Sequence, residues 1–82
     1  MYAKAYNALG TVQNQAGNTK DALLAFLHVD VLYSNYPRMH AESLYHLTSL
    51  WDKLNEGERS MQCRQMLKSR YGNSPWAKNL AN

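Results

Sequence analysis

The side chains of this 82-residue chain that could do chemistry are few and poorly spaced for it. His40 and His46 stand six apart, so on one helix they fall on different faces and miss the three- or four-residue step that brings two ligands to one metal. All three histidines, His28, His40 and His46, read as surface or boundary residues, and no metal site is expected. Ser, His, Asp and Cys all occur, but there is no nucleophile elbow, no paired acid and base at informative spacing and no glycine-rich phosphate loop. The expectation is therefore a protein that is not an enzyme and holds no cofactor. Cys63 stands alone, which excludes an internal disulfide and a cysteine zinc cluster. Arg59 and Arg64 nearby on a helix would lower its pKa and make a redox-sensitive thiol. The simpler reading, a small apolar residue packed between helices, is the one expected.

Charge is unevenly placed, and most of the aromatic residues are explained by packing. Residues 1–57 hold four Lys or Arg against five acids, a balance of −1, whereas residues 58–82 hold Arg59, Arg64, Lys68, Arg70 and Lys78 against Glu58, a balance of +4. Arg64 and Lys68 are four apart and share a helix face, an alternative basic face for an anion, a nucleic acid or an acidic partner. Its bland counterpart is a solvated face with cations near a helix C-terminus. Of the two Trp, six Tyr and one Phe, the plausible exposed contacts are Tyr36, Tyr45 and Trp76.

The elements that must position these residues are all helical. Tyr2, Ala5, Tyr6, Leu9, Val12 and Ala16 recur at helical spacing until Gly17-Asn18, where either residue tolerates the left-handed conformation that closes a helix and Asn18, with Asp21 three residues on, can cap the next. A second helix carries Ala22, Leu23, Phe26, Leu27, Val29 and Leu32. Tyr36-Pro37 opens a third, with Ala41, Leu44, Leu47, Leu50, Trp51 and Leu54, ended at Asn55-Glu56-Gly57. A fourth runs from about Glu58 to Tyr71, and Ser74-Pro75 opens a fifth with Trp76, Ala77 and Leu80. Strand alternation is absent. The longest apolar run is too short to cross a bilayer, and a chain of this size hides only about 63% of its surface, so its core is thin.

A shift of 38 residues superposes Ala3 on Ala41, Tyr6 on Leu44, Leu9 on Leu47, Gly17 on Asn55, Val29 on Leu67, Tyr33 on Tyr71 and Pro37 on Pro75. This helical repeat resembles the tetratricopeptide repeat. Tyr6, Leu9-Gly10, Gly17, Ala22 and Phe26 stand at that family's signature positions, while the second repeat keeps Leu44, Leu47, Trp51 and Asn55 but has Thr48, Ser60 and Arg64 where the family has glycine, alanine and an aromatic. The repeat is also four residues longer than usual. Tyr71-Gly72-Asn73-Ser74-Pro75-Trp76-Ala77 resembles segments of bacterial envelope members of the family.

The resemblance implies an all-α fold, a right-handed superhelical array of antiparallel helix pairs. A single domain, 1–82, would comprise repeat one at 3–40, repeat two at 41–76 and the start of a third at 77–82. It implies a noncatalytic scaffold for protein-protein interaction, holding a protein or peptide in a groove lined by Lys4, Asn7, Thr11 and Asn14 of the first repeat and Glu42, Tyr45, Ser49 and Asp52 of the second. Asn7 and Thr11 stand where carboxylate-clamp members have lysine and asparagine, which argues against that clamp. Without a full capping helix, Met61, Met66, Leu67, Trp76 and Leu80 are expected to form a partly uncovered patch through which two copies associate. The compartment stays open between the cytoplasm and the bacterial envelope.

Overall fold

A computed structural model describes residues 2–80. Five helices follow one another: α1 (Tyr2–Gln15), α2 (Thr19–Leu32), α3 (Pro37–Lys53), α4 (Gly57–Tyr71) and the single turn α5 (Pro75–Lys78). No strand occurs among the described residues.

Local chemistry sets the ends. Gly17 takes φ 84°, and Asn55, 38 residues on, takes φ 62°. Both turns then close alike: Gly17 N–H donates to the Asn14 carbonyl and Asn18 N–H to Gln13, as Asn55 N–H does to Asp52 and Glu56 N–H to Trp51. These paired bonds satisfy the last carbonyls of α1 and α3. Pro37 and Pro75 each occupy the first turn of their helix, and Ser74 accepts from Ala77 N–H at 3.1 Å to cap α5. Asn18 corrects an expectation: its amide donates to Gln13 Oε1 at 2.7 Å, and it makes no side-chain cap on α2.

Packing is between neighbours. α1 lies on α2 and touches α3, α2 lies on α3, α3 on α4, and α5 rests on α3 and α4. One core joins Ala22, Leu23 and Phe26 of α2 to Leu47 and Leu50 of α3, with Trp51, Leu54 and Cys63 around it. A second joins Ala41 and Leu44 of α3 to Leu67 of α4 and Ala77 of α5, with Tyr71, Trp76 and Leu80 around it.

The buried face of α1 differs from the apolar stripe read in the sequence. Ala3, Asn7 and Gly10 are buried, whereas Tyr2, Leu9 and Val12 are exposed. Small residues let α1 approach closely: a methyl on Gly10 would stand 2.6 Å from the Phe26 ring. The second repeat reverses the pair. Thr48 is buried with its hydroxyl on the Leu44 carbonyl, Ser60 donates to the Thr48 carbonyl, and Arg64 replaces the ring. The two hydroxyls are tolerated there because each finds a backbone acceptor.

Candidate functional site

The start of α3, opened by Pro37, lies beside the last turn of α4 and the start of α5, opened by Pro75. Between the start of α3, the last turn of α4 and α5 lies a cleft of about 700 Å³, bounded by Arg38, Glu42, Lys68, Arg70, Tyr71 and Trp76 among others. It gathers Glu42 of the expected groove, Lys68 of the alternative basic face and Trp76 of the expected self-association patch. Three cations thus face one carboxylate. Arg38 and Lys68 make no ion pair among the described residues, and the Arg70 guanidinium sits 5.5 Å from the Tyr71 ring centre. Burial pushes the Glu42 carboxyl above its ordinary range, opposed by the amide of Asn7, which donates to Oε1 at 3.4 Å.

The cleft rests on a buried polar link. His40 Nε2 lies 2.6 Å from Asp30 Oδ1 and Nδ1 lies 2.7 Å from the Tyr71 hydroxyl, tying α2, α3 and α4 together. An imidazole protonated at Nε2 satisfies both partners. His40 is therefore a core residue and not the surface or boundary residue expected. Its partners lie 10 and 31 residues away, and no spacing rule reaches them.

The groove residues are placed unequally. Lys4, Ser49 and Asp52 are exposed, and Thr11, Asn14, Glu42 and Tyr45 are half-buried. Asn7 is only 2% exposed and donates to the Met39 carbonyl at 3.0 Å. It pins α1 to α3 and is not presented to a partner, so replacing it would damage the fold. Asn14 Oδ1 accepts from Lys53 Nζ at 3.4 Å, which adds a lysine that the sequence did not single out. Tyr45 packs on Trp76, ring centres 5.4 Å apart, and edge-on to His46. His46 in turn stacks on Phe26 at 4.7 Å, and burial lowers its pKa. Tyr36 is exposed, with Tyr33 beside it.

The expected self-association patch is not continuous. Leu67 is fully buried, Trp76 is half-covered by Tyr45 and His46, and Leu80 packs on the second core. Met61 and Met66 remain exposed, five residues apart on different faces of α4. The short α5 covers this end because Ala77 and Leu80 reach the gap between α3 and α4. Of the alternative basic face, Lys68 is exposed and Arg64 half-buried.

Cys63 is half-buried against the first core, and its thiol is pushed up to about 11. Burial is the main cause and the Asp30 charge adds to it; Arg59 acts in the opposite direction but more weakly. The activating effect expected of nearby arginines is thus outweighed. No group of three or more His, Cys, Asp or Glu that could hold a metal is present among the described residues, and no helix there is long and apolar enough to cross a membrane. No family model, curated protein or solved structure matches the chain.

Proposed function

We propose that this chain is a noncatalytic interaction module of the tetratricopeptide type, two helical repeats and the start of a third in a right-handed superhelix. It binds a peptide segment carrying acidic side chains where the groove meets the cleft. One observation carries the reading: Arg38, Lys68 and Arg70 stand around a cleft walled by Tyr71 and Trp76. Cations around aromatic surface suit carboxylates flanked by apolar or aromatic side chains. The repeat assignment is supported by matching left-handed turns at Gly17 and Asn55, matching proline starts at Pro37 and Pro75, and packing between neighbouring elements. A noncatalytic reading is supported by the acid-histidine pair of Asp30 and His40, which is turned inward and holds helices together.

Tryptophan fluorescence in a Trp51→Phe background makes Trp76 the reporter. An acidic, aromatic-flanked peptide should change its emission, with affinity falling about tenfold for Lys68→Glu and again for Arg38→Glu, the loss of one charge-assisted contact each. Tyr45→Ala should weaken the same titration. A single-stranded oligonucleotide that binds instead, with affinity collapsing steeply as salt rises, would replace this reading with nucleic-acid binding by the basic face of Arg64 and Lys68. A reporter that responds to neither ligand rejects the cleft.

A further inference from the structure

Six of the nine large apolar side chains left exposed among the described residues lie on α1 and α2: Tyr2, Leu9, Val12, Leu24, Val31 and Leu32. On α1 the exposed apolar residues Tyr2, Ala5, Leu9 and Val12 stand at steps of three and four, a straight seam of the kind one helix presents to another, with Ala8 exposed beside it and Ala16 continuing it just past the helix end. Tyr2 is 74% and Val12 61% exposed. The seam continues onto α2, because the Tyr6 ring stacks on His28 at 4.8 Å and His28 lines a shallow depression with Leu24, Val31 and Leu32.

The chain itself shows what such a seam does. Moved by 38 residues, Ala5, Leu9 and Val12 become Ser43, Leu47 and Leu50 of α3, all buried, and Leu47 and Leu50 pack on Ala22, Leu23 and Phe26 of α2. The α1 seam is thus the counterpart of a helix-docking face, without a helix among the described residues to cover it.

We propose that a second copy of this chain covers it, the two α1 seams meeting antiparallel across a two-fold axis with the α2 ridges closing over them. Three observations select this occupant. The six large side chains expose about 600 Å² on each copy, and with the seam alanines and His28 this approaches the roughly 800 Å² per partner of a standard interface. α1 carries a single charged side chain, Lys4, so a self-complementary contact brings few like charges together. The head-to-tail alternative fails on chemistry. The counterparts on α4 of Leu23, Phe26 and Leu27 are Met61, Arg64 and Gln65, and docking the apolar seam there would bury a guanidinium and an amide against Leu9 and Val12.

Sedimentation equilibrium of the full chain from about 1 µM to about 1 mM tests this directly. A concentration-dependent dimer is expected, weakened about 100-fold by Leu9→Glu with Val12→Glu, because each change puts a carboxylate into the apolar seam. These positions are exposed, so unchanged circular dichroism confirms that the variant stays folded. Met61→Ser with Met66→Ser, both exposed on α4, should leave the dimer intact. A chain that is monomeric at every concentration, oligomers that keep growing beyond two, or a dimer broken by the Met61 and Met66 changes but not by those at Leu9 and Val12 would each overturn the proposal.

Discussion

At the scale of single residues, three positions carry consequences that exposure or charge alone would not suggest. Gly10 meets Phe26, and an added methyl would lie 2.6 to 2.9 Å from three ring atoms. Gly10→Ala gains about 1 kcal/mol of helix propensity but costs about 2 to 3 kcal/mol of overpacking against a rigid ring, so urea unfolding should show a net loss of about 1 to 2 kcal/mol. Phe26→Leu in that background should recover part of it. Cys63, raised from 9.0 to about 11, holds about 100-fold less thiolate near neutrality than a free thiol, so labelling by a thiol reagent should be slowed by about that factor until the protein unfolds. The stability tied to this thiol is present below pH 9.0 and lost as pH rises through about 11. His46 behaves oppositely: its pKa is lowered from 6.5 by burial, so the fold favours the neutral ring. Its contribution is present above pH 6.5 and lost as pH falls through the lowered value. The urea midpoint should fall between about pH 7 and pH 5, and His46→Phe should remove that part of the slope.

Among the elements, the two left-handed turns provide the sharpest test of the internal repeat. Asn55 holds at φ 62° a conformation that costs an ordinary L-residue about 1 kcal/mol or more. Asn55→Ala should lower stability by about 1 kcal/mol, and Asn55→Gly should leave it unchanged or raise it by a few tenths. Gly17→Ala, at φ 84°, should cost a similar amount. A neutral result for both alanine variants in thermal unfolding would mean that the two turns do not constrain their helices as the geometry requires.

Across the whole molecule, cohesion depends on contacts between neighbours, and the Asp30–His40–Tyr71 link is the polar connection that spans three helices. Removing one end leaves a buried imidazole nitrogen short of a partner, which costs about 1 to 3 kcal/mol. Asp30→Ala and Tyr71→Phe should each destabilise, and the double variant should cost less than the two added together, because both act through His40. Additive losses in a double-mutant cycle would show two independent bonds. Hydrogen exchange in Tyr71→Phe should accelerate in α4 as well as at the start of α3, since the link joins both to α2.

The sequence by itself determined the helices and their order. Helix ends depend on local chemistry, and Gly17, Pro37, Asn55, Ser74 and Pro75 do their work within one turn of where they stand. The 38-residue echo was readable for the same reason, because equivalent turns need equivalent residue types. Only the tertiary structure decided which stripe of α1 goes inside. Hydrophobic periodicity marked Tyr2, Leu9 and Val12, but the Phe26 ring can close only on a helix without a side chain at Gly10, and this turned the small face of Ala3, Asn7 and Gly10 inward. It likewise decided the burial of His40 and Asn7 and the meeting of Arg38, Lys68 and Trp76 at one cleft. A polar side chain is buried at low cost only where its partners arrive. For these residues the partners come from other helices, between 10 and 35 residues away, beyond the range of any local pattern.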